Sequence, residues 1–478
     1  MKSLIAGKWV DAKSKDVIRV INPANNELVD TVPSLSKEEI DYAVDAAVIA
    51  QKKWADVSVV DRCKILAKFA ELVLRDSEEL ARLLSNETGK PIREARNEIA
   101  NIQIGVPAYI EKVKHDYGNV VYRGTELGQE NTIQYTIQQP LGVVVAIIPF
   151  NFPSDIFINK VPPALLMGNA VILKPASVNP LTLTKYCELL VEAGVPDAVI
   201  SVVHGSGSVV GTALTSNKKV DMVTLTGSTA AGIDAAKNCA SHCAHSSLEL
   251  GGNDAFIICE DGDLDLAVEE TVWGRLYNTG QVCCASKRFL VQNSIKDEYI
   301  RKMVDKIKTL KVGMPSDDAS DIGCLISEEA AIEVEKQVNK TVESGAHIVI
   351  GGKRNGAFYE PTIIDGITKD MDVAIDMEIF GPVISVIGFD TIEEAIEIAN
   401  QSIYGLSAGI ITKDMNKAIK VSEKVESGGF VINGASFFRS FEQPFGGWKY
   451  SGIGNEGIMT TLREMSRTKT VILKNITK

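Results

Sequence analysis

Residues 278–284, Asn-Thr-Gly-Gln-Val-Cys-Cys, contain a candidate nucleophile. A cysteine reacts as its thiolate, which is favoured at a helix N-terminus or among backbone N–H donors rather than in an apolar core. Gly280 and Gln281, shortly before Cys283, supply the tight turn that such an exposed position needs. Free cysteine is also among the most buried residue types, so the segment taken alone is more typical of a structural thiol.

Two further segments contain a candidate base and a candidate hydrogen-bond donor. Residues 248–252, Leu-Glu-Leu-Gly-Gly, place Glu249 among apolar neighbours, and burial raises the pKa of a carboxyl into a range that suits a general base. Residues 149–153, Pro-Phe-Asn-Phe-Pro, hold Asn151 between aromatic residues and prolines, so that its amide can donate to a developing oxyanion. The structural alternatives are a solvated glutamate at a strand end and an asparagine in an Asx turn.

Length and composition are those of a large globular protein. The chain has 478 residues, 45% hydrophobic and 23% charged, which is too long for one hydrophobic core, so we expect two or three domains. The formal net charge of −12 argues against a nucleic-acid partner, because phosphate binding needs a basic face. The longest apolar run, residues 143–148, is far shorter than a membrane span, so we expect no membrane partner.

The N-terminus and the cysteines favour a cytoplasmic location. Residues 1–16 lack the continuous apolar stretch of a secretory signal. The eight cysteines are scattered without paired spacing, as expected of reduced thiols. Cys239, His242, Cys243 and His245 crowd into seven residues without a second group to complete a zinc shell, so we expect no metal site.

Hydrophobic periodicity separates a helical region from two α/β regions. Residues 36–116 are helical in pattern, and Ser36 with Glu39 forms a capping box at their start. Residues 141–248 alternate β-branched runs with helical stretches, which predicts a mostly parallel sheet with strands at 143–148, 170–173, 199–203 and 222–225. A second series of the same kind predicts strands near 255–259, 288–291, 348–351, 383–389 and 409–411.

Two segments fit neither α/β region. Residues 119–139 alternate polar and apolar side chains like a β-hairpin, and residues 468–474 have the pattern of a lone C-terminal strand. Because isolated strands rarely stay unpaired, we expect both segments to form a small arm that associates with another subunit.

The three segments with candidate catalytic residues, at these separations, resemble the aldehyde dehydrogenase superfamily, and the resemblance covers nearly the whole chain. It continues, in the order of the family, through shorter motifs at residues 87–91, 168–169, 173–175, 226–228, 378–382, 404–406, 444–447 and 449–452. The resemblance implies an α/β fold of aldehyde dehydrogenase type, with two Rossmann-like domains and a small β oligomerisation arm. It implies a dinucleotide-binding domain at 1–118 and 140–248, a catalytic domain at 249–455, an arm at 119–139 and 456–478, and a homodimer or homotetramer.

Carried over to this chain, the family chemistry makes Cys283 the nucleophile that attacks the carbonyl of a small aldehyde. The side-chain amide of Asn151 and the backbone N–H of Cys283 would hold the oxyanion, and loss of hydride would leave a thioester. Glu249 would activate the water that releases the acid, whereas Cys284 would only be a neighbour of the nucleophile. Members that transfer the acyl group to coenzyme A usually lack this glutamate, so its presence favours hydrolysis.

The resemblance also implies a nicotinamide dinucleotide, although the first predicted strand is not followed by Gly-x-Gly-x-x-Gly. In the family's variant of the site, Lys174 would bind the adenosine ribose and Glu378 the nicotinamide ribose. Gly227 and Ser228 would open a helix whose N-terminus meets the pyrophosphate. The other cofactor residues implied in this way are Phe150, Gly207, Gly211, Leu250 and Phe380. Without the resemblance, Gly207 and Gly211 fit a plain turn.

One position departs from the pattern of strictly NAD-dependent members, which often carry a glutamate three residues after this lysine. That glutamate repels the 2′-phosphate of NADP, and here the position is Ser177. Because serine carries no charge, we expect the chain to accept NADP or NAD, with a slight preference for NADP.

Arginines near the thiol are the candidate substrate contacts. Succinate-semialdehyde-type members usually carry an arginine directly before Lys160, but this chain has Asn159. Arg439 lies in a segment similar to that of lactaldehyde-type members, and Arg275 lies eight residues before Cys283; each could also be a surface arginine. An arginine suits a short aldehyde with a hydroxyl or anionic group, such as lactaldehyde or succinate semialdehyde. A catalytically silent relative and an acyl-transferring or esterase-like thiol enzyme remain alternatives.

Overall fold

The computed structural model describes residues 1–115 and 118–476. Residues 116, 117, 477 and 478 lie outside the described residues. The first is the last residue of the predicted helical region 36–116, and both 116 and 117 fall in the predicted segment 1–118. The other two end the predicted arm segment 456–478. Among the described helices, none has the length and apolar character needed to cross a bilayer.

An eight-stranded sheet forms the first α/β body. Its five central strands are parallel, and antiparallel strands flank them on both sides. In spatial order the strands are Lys8–Val10, Ser3–Ile5, Ile200–Val202, Ala170–Lys174, Val143–Ile147, Met222–Thr226, His245–Glu249 and Gly452–Ile453. The strand order reverses beside Val143–Ile147, and the crevice at such a reversal is where open α/β sheets bind ligands. Strands occupy all four positions predicted for this region.

The central strands are buried on both faces, as expected of parallel strands covered by helices. Val144 and Ala146 face one hydrophobic core, and Val143 and Val145 face the other. The α-helices of this body are Lys37–Ala55, Val59–Arg75, Ser77–Thr88, Ile92–Ala100, Ile102–Val113, Pro153–Leu166, Leu181–Ala193, Thr212–Thr215, Thr229–Ala240 and Ile458–Glu464. The predicted capping box is present, since the side chain of Ser36 caps the first helix and Glu39 binds back to its N-cap.

A seven-stranded sheet forms the second α/β body, with one antiparallel edge strand and six parallel strands. In spatial order these are His347–Ile350, Thr362–Ile367, Val383–Phe389, Ser286–Gln292, Asp254–Ile258, Ser407–Ile411 and Gly429–Ile432. Its helices are Leu264–Leu276, Lys296–Ile307, Glu328–Glu343, Asp372–Ile375, Ile392–Asn400 and Met415–Lys424. Three short strand pairs complete the α/β bodies: Val17–Ile21 with Leu28–Pro33, Arg354–Asn355 with Phe358–Tyr359, and Tyr404–Gly405 with Trp448–Lys449.

The two segments predicted to form an arm pair with each other. Strand Ser466–Lys474 runs antiparallel to Thr132–Pro140 over nine residue pairs, and Val120–Val121 adds a third strand. The prediction that the arm begins at residue 456 is wrong. Helix Ile458–Glu464 packs into the core of the first body, where the side chains of Ile458 and Leu462 are fully buried. Apolar burial therefore fixes this segment to the first sheet, and the arm begins with Ser466–Lys474.

Candidate active site

A cavity of about 290 Å³ is lined by residues from segments next to both sheets. Segments that follow three parallel strands of the first sheet contribute one wall, and segments that precede two strands of the second sheet contribute the other. The lining residues are Pro149, Phe150, Asn151, Thr226, Gly227, Ser228, Leu250, Gly251, Cys283, Glu378 and Phe380. The cavity thus joins the candidate nucleophile and the candidate oxyanion donor to six of the predicted cofactor residues.

Cys283 follows a strained turn. Asn278, Thr279 and Gly280 take left-handed φ values of 49°, 55° and 76°, a conformation that costs free energy for the two residues with a side chain. At Gly280 a Cβ would stand 2.2 Å from the carbonyl oxygen of Gly381, so only glycine fits. The turn leaves Cys283 partly exposed to the cavity, while the next residue, Cys284, is buried.

The two adjacent thiols have opposite electrostatic properties. A hydrogen bond from the Cys284 thiol, followed by the positive charges of Lys287 and Arg439, lowers the pKa of Cys283 to about 7, although burial opposes the shift. The same hydrogen bond, together with burial, raises the pKa of Cys284 well above its usual value. Because the thiolate is the nucleophilic form, these shifts favour Cys283 over Cys284 as the candidate nucleophile.

Asn151 is fixed through its backbone, which leaves its side chain available. Its carbonyl oxygen accepts hydrogen bonds from Nζ of Lys90 at 2.8 Å and from Nδ2 of Asn278 at 3.0 Å. The residue is 5% exposed, and its Oδ1 finds no hydrogen-bond partner within residues 1–115 and 118–476. Asn278 therefore connects the turn before the nucleophile with the candidate oxyanion donor.

Glu249 ends strand His245–Glu249, which pairs with the edge strand Gly452–Ile453, and the residue is 3% exposed. Neither carboxylate oxygen has a hydrogen-bond partner in the described part of the chain. Burial, reinforced by the negative charge of Glu456, raises the pKa of Glu249 well above its usual value, while Arg439 and Lys160 oppose the shift. A carboxyl with a raised pKa is a stronger base when ionised, which fits the predicted role of Glu249.

A buried ion cluster lies behind Glu249. Oε1 of Glu456 accepts a hydrogen bond from Nζ of Lys160 at 2.7 Å, and Oε2 accepts one from Nη2 of Arg439 at 2.8 Å. Lys160 also donates to Oγ1 of Thr224 at 2.8 Å. The two cations hold the pKa of Glu456 below its usual value against the effect of burial. Glu456 therefore stays ionised beside a carboxyl that favours its neutral form.

The predicted adenosine-side residues lie together at the end of strand Ala170–Lys174. Lys174 is 5% exposed, its hydrogen bond is to the carbonyl oxygen of Pro175 at 3.2 Å, and burial lowers its pKa to about 8. A Cβ at Gly211 would contact Lys174, whereas none of the described heavy atoms comes within 4 Å of a Cβ at Gly207. Ser177 donates through Oγ to the carbonyl oxygen of Gly205 at 2.9 Å.

The predicted phosphate and nicotinamide residues also fit a dinucleotide. Ser228 is the N-cap of helix Thr229–Ala240, which begins at the cavity. The rings of Phe150 and Phe380 meet edge to face, with centroids 6.0 Å apart. A buried lysine with one backbone partner, open space at Gly207 and a helix N-terminus at the cavity together match the charge and shape of such a cofactor.

The two candidate substrate arginines have different surroundings. Arg275 is 1% exposed and donates to the carbonyl oxygens of Val383 at 2.6 Å and Ile379 at 2.8 Å. It therefore stabilises backbone inside the second body, and the prediction that it faces the pocket is wrong. Arg439 keeps 25% of its side chain exposed, and its guanidinium carbon lies 4.1 Å from the ring centre of Phe445.

Sequence reasoning missed four buried charged residues around the site. They are Lys90, Lys160, Lys287 and Glu456, each less than 4% exposed. The sequence places Glu456 in the predicted arm, and it uses Lys160 only to locate Asn159, the position of a possible substrate arginine. Lys90 lies in the motif at residues 87–91 and Lys160 in the largely apolar segment 156–166, and a charged residue in such surroundings is buried only when it is paired. Lys287 and Glu456 have no such local signal.

Comparisons with known proteins agree with this geometry. The model of the aldehyde dehydrogenase family matches residues 9–471. The chain is 36% identical to lactaldehyde dehydrogenase of Methanococcus aeolicus, over 98% of this chain and 99% of that protein. It is 37% identical to 3-sulfolactaldehyde dehydrogenase of Priestia aryabhattai, covering 98% and 97%, and 36% identical to D-glyceraldehyde dehydrogenase (NADP(+)) of Picrophilus torridus, covering 98% and 96%.

Solved structures give the same result. The crystal structure of an NADP-dependent enzyme from E. coli superposes with a TM-score of 0.95 at 35% identity, covering 99% of this chain and 98% of that one. Betaine aldehyde dehydrogenase from Staphylococcus aureus in complex with NAD+ also gives 0.95, at 34% identity, covering 100% and 95%. The chain belongs to the aldehyde dehydrogenase family.

Proposed function

We propose that this chain oxidises a short, hydroxylated or anionic aldehyde to its carboxylic acid, with NADP or NAD as the oxidant. The observation that carries the proposal is the shared cavity of Cys283, Asn151 and the candidate cofactor residues. The substrate class is supported by the names of the similar proteins, which are dehydrogenases of lactaldehyde, sulfolactaldehyde and glyceraldehyde.

The proposed reaction has two steps, acylation of Cys283 and hydrolysis of the resulting thioester. The Cys283 thiolate, favoured by a pKa of about 7, attacks the aldehyde carbon, and the amide of Asn151 with the backbone N–H of Cys283 stabilises the oxyanion. A nicotinamide dinucleotide held by the cofactor residues of the cavity would supply the hydride acceptor, and Cys283 would then hold the acyl group as a thioester.

Glu249 serves the second step. Its buried carboxylate takes a proton from a water molecule, the water oxygen attacks the thioester, and the acid leaves as Cys283 regains its thiolate. The ion cluster of Glu456, Lys160 and Arg439 lies beside Glu249 and modulates its affinity for the proton. Hydrolysis is thus favoured over transfer of the acyl group to another thiol.

The first sheet is proposed to bind the cofactor and the second to supply the nucleophile. Lys174 and Ser177 would lie at the adenosine ribose, Ser228 at the pyrophosphate and Glu378 at the nicotinamide ribose. The uncharged Ser177 supports the slight preference for NADP. Among the similar proteins, the glyceraldehyde dehydrogenase of Picrophilus torridus is named for NADP(+), and the betaine aldehyde dehydrogenase structure contains NAD+.

Arg439 is proposed as the substrate contact. Its Nη2 donates to Glu456, and a quarter of the side chain is exposed. We propose that the N–H groups of Arg439 not used by Glu456 bind a hydroxyl or an anionic group on the substrate. The aldehyde carbon would lie at Cys283 and the polar group would point toward Arg439.

The exposed arm supports a homodimer or homotetramer in the cytoplasm. Val120, Tyr122 and Ile472 on the arm are more than half exposed, and a small sheet with open edges and apolar side chains is typically covered in an assembly. All eight cysteines are free thiols, which fits a reducing compartment.

A panel of aldehydes tests the proposal. Lactaldehyde, glyceraldehyde, 3-sulfolactaldehyde, succinate semialdehyde and unsubstituted propionaldehyde are each supplied with NAD and with NADP, and the absorbance of the reduced cofactor is followed. We expect the polar aldehydes to exceed propionaldehyde in kcat/KM by at least about tenfold, equivalent to one charge-assisted hydrogen bond. Parallel assays with an activated ester and with coenzyme A separate oxidation from esterase and acyl-transfer activity. Absence of reduced cofactor with all five aldehydes would contradict the proposal.

A further inference from the structure

Lys287 is a buried cation to which the catalytic steps above assign no contact with substrate or cofactor. It is the second residue of strand Ser286–Gln292, and its side chain is 2% exposed. Its Nζ donates to the backbone carbonyl oxygen of Cys283 at 2.5 Å and lies 3.2 Å from Oε1 of Glu378. Burying an ammonium group costs free energy unless it is paired, so the two contacts account for the position of Lys287.

Both partners of Lys287 belong to the proposed active site. The carboxylate of Glu378 is additionally held by the backbone N–H of Gly252, at 3.3 Å from Oε1, and a Cβ at Gly251 would stand 2.6 Å from Oε2. Glu378 thus rests on the glycine pair that follows Glu249. Lys287 connects this carboxylate with the backbone of the nucleophile.

We propose that Lys287 is a positioning residue for both halves of the site: its ammonium stabilises the thiolate of Cys283 and holds Glu378 in the orientation that binds the nicotinamide ribose. A nearby cation favours the charged form of a thiol, and an ion pair restricts the rotamers of a carboxylate. The second effect rests on the proposed function, because it takes Glu378 as a cofactor contact. The effect on the thiol does not.

Other titratable groups also act on the Cys283 thiol, namely Cys284, Arg439, Glu249, Asp254 and Glu378. The Cys284 hydrogen bond is the largest factor that lowers its pKa, and among the charged groups Lys287 contributes most. Asp254 is buried at 2% exposure, and Lys287 also opposes the rise of its pKa that burial causes. Removal of this lysine therefore leaves Asp254 and Glu378 near the thiolate without the positive charge of Lys287.

The first test is the reactivity of the thiol in the cofactor-free protein. The rate of alkylation of Cys283 by iodoacetamide is measured from pH 5 to 10 by mass spectrometry of its peptide, with exposed Cys243 as an internal reference. In Lys287→Met the pKa of Cys283 should rise by about 1 unit, the effect of one nearby opposite charge. The rate at pH 7 should then fall about 5-fold and equal that of the wild type above pH 9.

The second test is equilibrium binding of NAD and of NADP by titration calorimetry. Lys287→Met should weaken both by about tenfold, as expected when a charged hydrogen bond that orients Glu378 is lost. Lys287→Arg keeps the charge and should restore the low thiol pKa. Lys302→Met removes a lysine paired with Asp265 at the surface and should change neither thiol reactivity nor binding.

Two results would overturn the inference. In a Lys287→Met variant with an unchanged circular dichroism spectrum, a wild-type pH profile refutes the effect on the thiol, and wild-type dissociation constants refute the effect on Glu378. If that variant does not fold, Lys287→Gln, which also removes the charge, is measured in its place, and a wild-type pH profile with wild-type dissociation constants refutes the inference. A wild-type protein that binds no dinucleotide refutes the proposed function instead, and leaves the alkylation test valid.

Discussion

A glutamate in place of Ser177 would bring a negative charge to the proposed site of the 2′-phosphate of NADP. Ser177 is partly exposed and donates to the carbonyl oxygen of Gly205, so a longer acidic side chain would extend past this loop toward the cofactor. Two like charges about 4 Å apart repel by about 1 kcal/mol in bulk water and about 4 kcal/mol at an effective dielectric constant of 20. Partial exposure places the site between these limits.

The expected result is a loss of at least about tenfold in kcat/KM for NADP, equivalent to about 1.4 kcal/mol. NAD should lose far less or gain, because a carboxylate can accept hydrogen bonds from the free ribose hydroxyls. Initial rates are measured against each cofactor at a saturating aldehyde concentration. Ser177→Gln, similar in size but uncharged, is the matched control and should retain NADP use. The reasoning is refuted if the wild type already rejects NADP, or if the glutamate and glutamine variants lose NADP equally.

Three other predictions concern catalysis and assembly. Cys283→Ala should abolish oxidation. Cys284→Ala should keep most of the activity at pH 8.5 but lose activity near pH 7, because loss of the thiol hydrogen bond raises the pKa of Cys283 from about 7. A pH profile of kcat/KM for Cys284→Ala that matches the wild type would contradict this prediction. Glu249→Gln should still release one equivalent of reduced cofactor per active site in a rapid-mixing experiment, while steady turnover falls by about 10²–10⁴; absence of the burst would mean that Glu249 acts before deacylation. Deletion from residue 466 onward should reduce the light-scattering mass to that of a smaller assembly or monomer, and an unchanged mass would refute the role of the arm.

The sequence predicted the elements that have a strong local pattern. Strand Val383–Phe389 has the predicted bounds, and the four predicted strands of the first sheet differ from the observed ones by two residues at most. Alternation of buried β-branched residues with helical stretches is a local signal, and it decides these elements. The hairpin at 119–139 was likewise predicted from alternation, and it pairs as expected through Val120–Val121 and Thr132–Pro140.

The errors arose where tertiary contacts decide. Residues 456–465 were assigned to the arm, but burial of Ile458 and Leu462 against the first body fixes them there. Arg275 was considered for the substrate because it precedes Cys283 by eight residues, whereas the helix Leu264–Leu276 directs it to carbonyl oxygens of the second body. Sequence distance from a nucleophile does not show the direction in which a side chain points.

The geometry of the two sheets explains why residues far apart in sequence form one site. Parallel strands place their carboxyl ends at the same edge, so Asn151, Ser228 and Leu250, which follow three strands of the first sheet, line one cavity without being close in sequence. Cys283 and Glu378 instead precede strands of the second sheet, and Lys287 ties these two segments together. The proposed nucleophile and cofactor carboxylate therefore belong to one body, and the proposed oxyanion donor and base to the other. A misplacement of about 1 Å in such a site can cost roughly 10²-fold in rate. The hydrogen bond from Asn278 to the backbone carbonyl of Asn151 joins the two bodies and so supports the alignment that the proposed reaction needs.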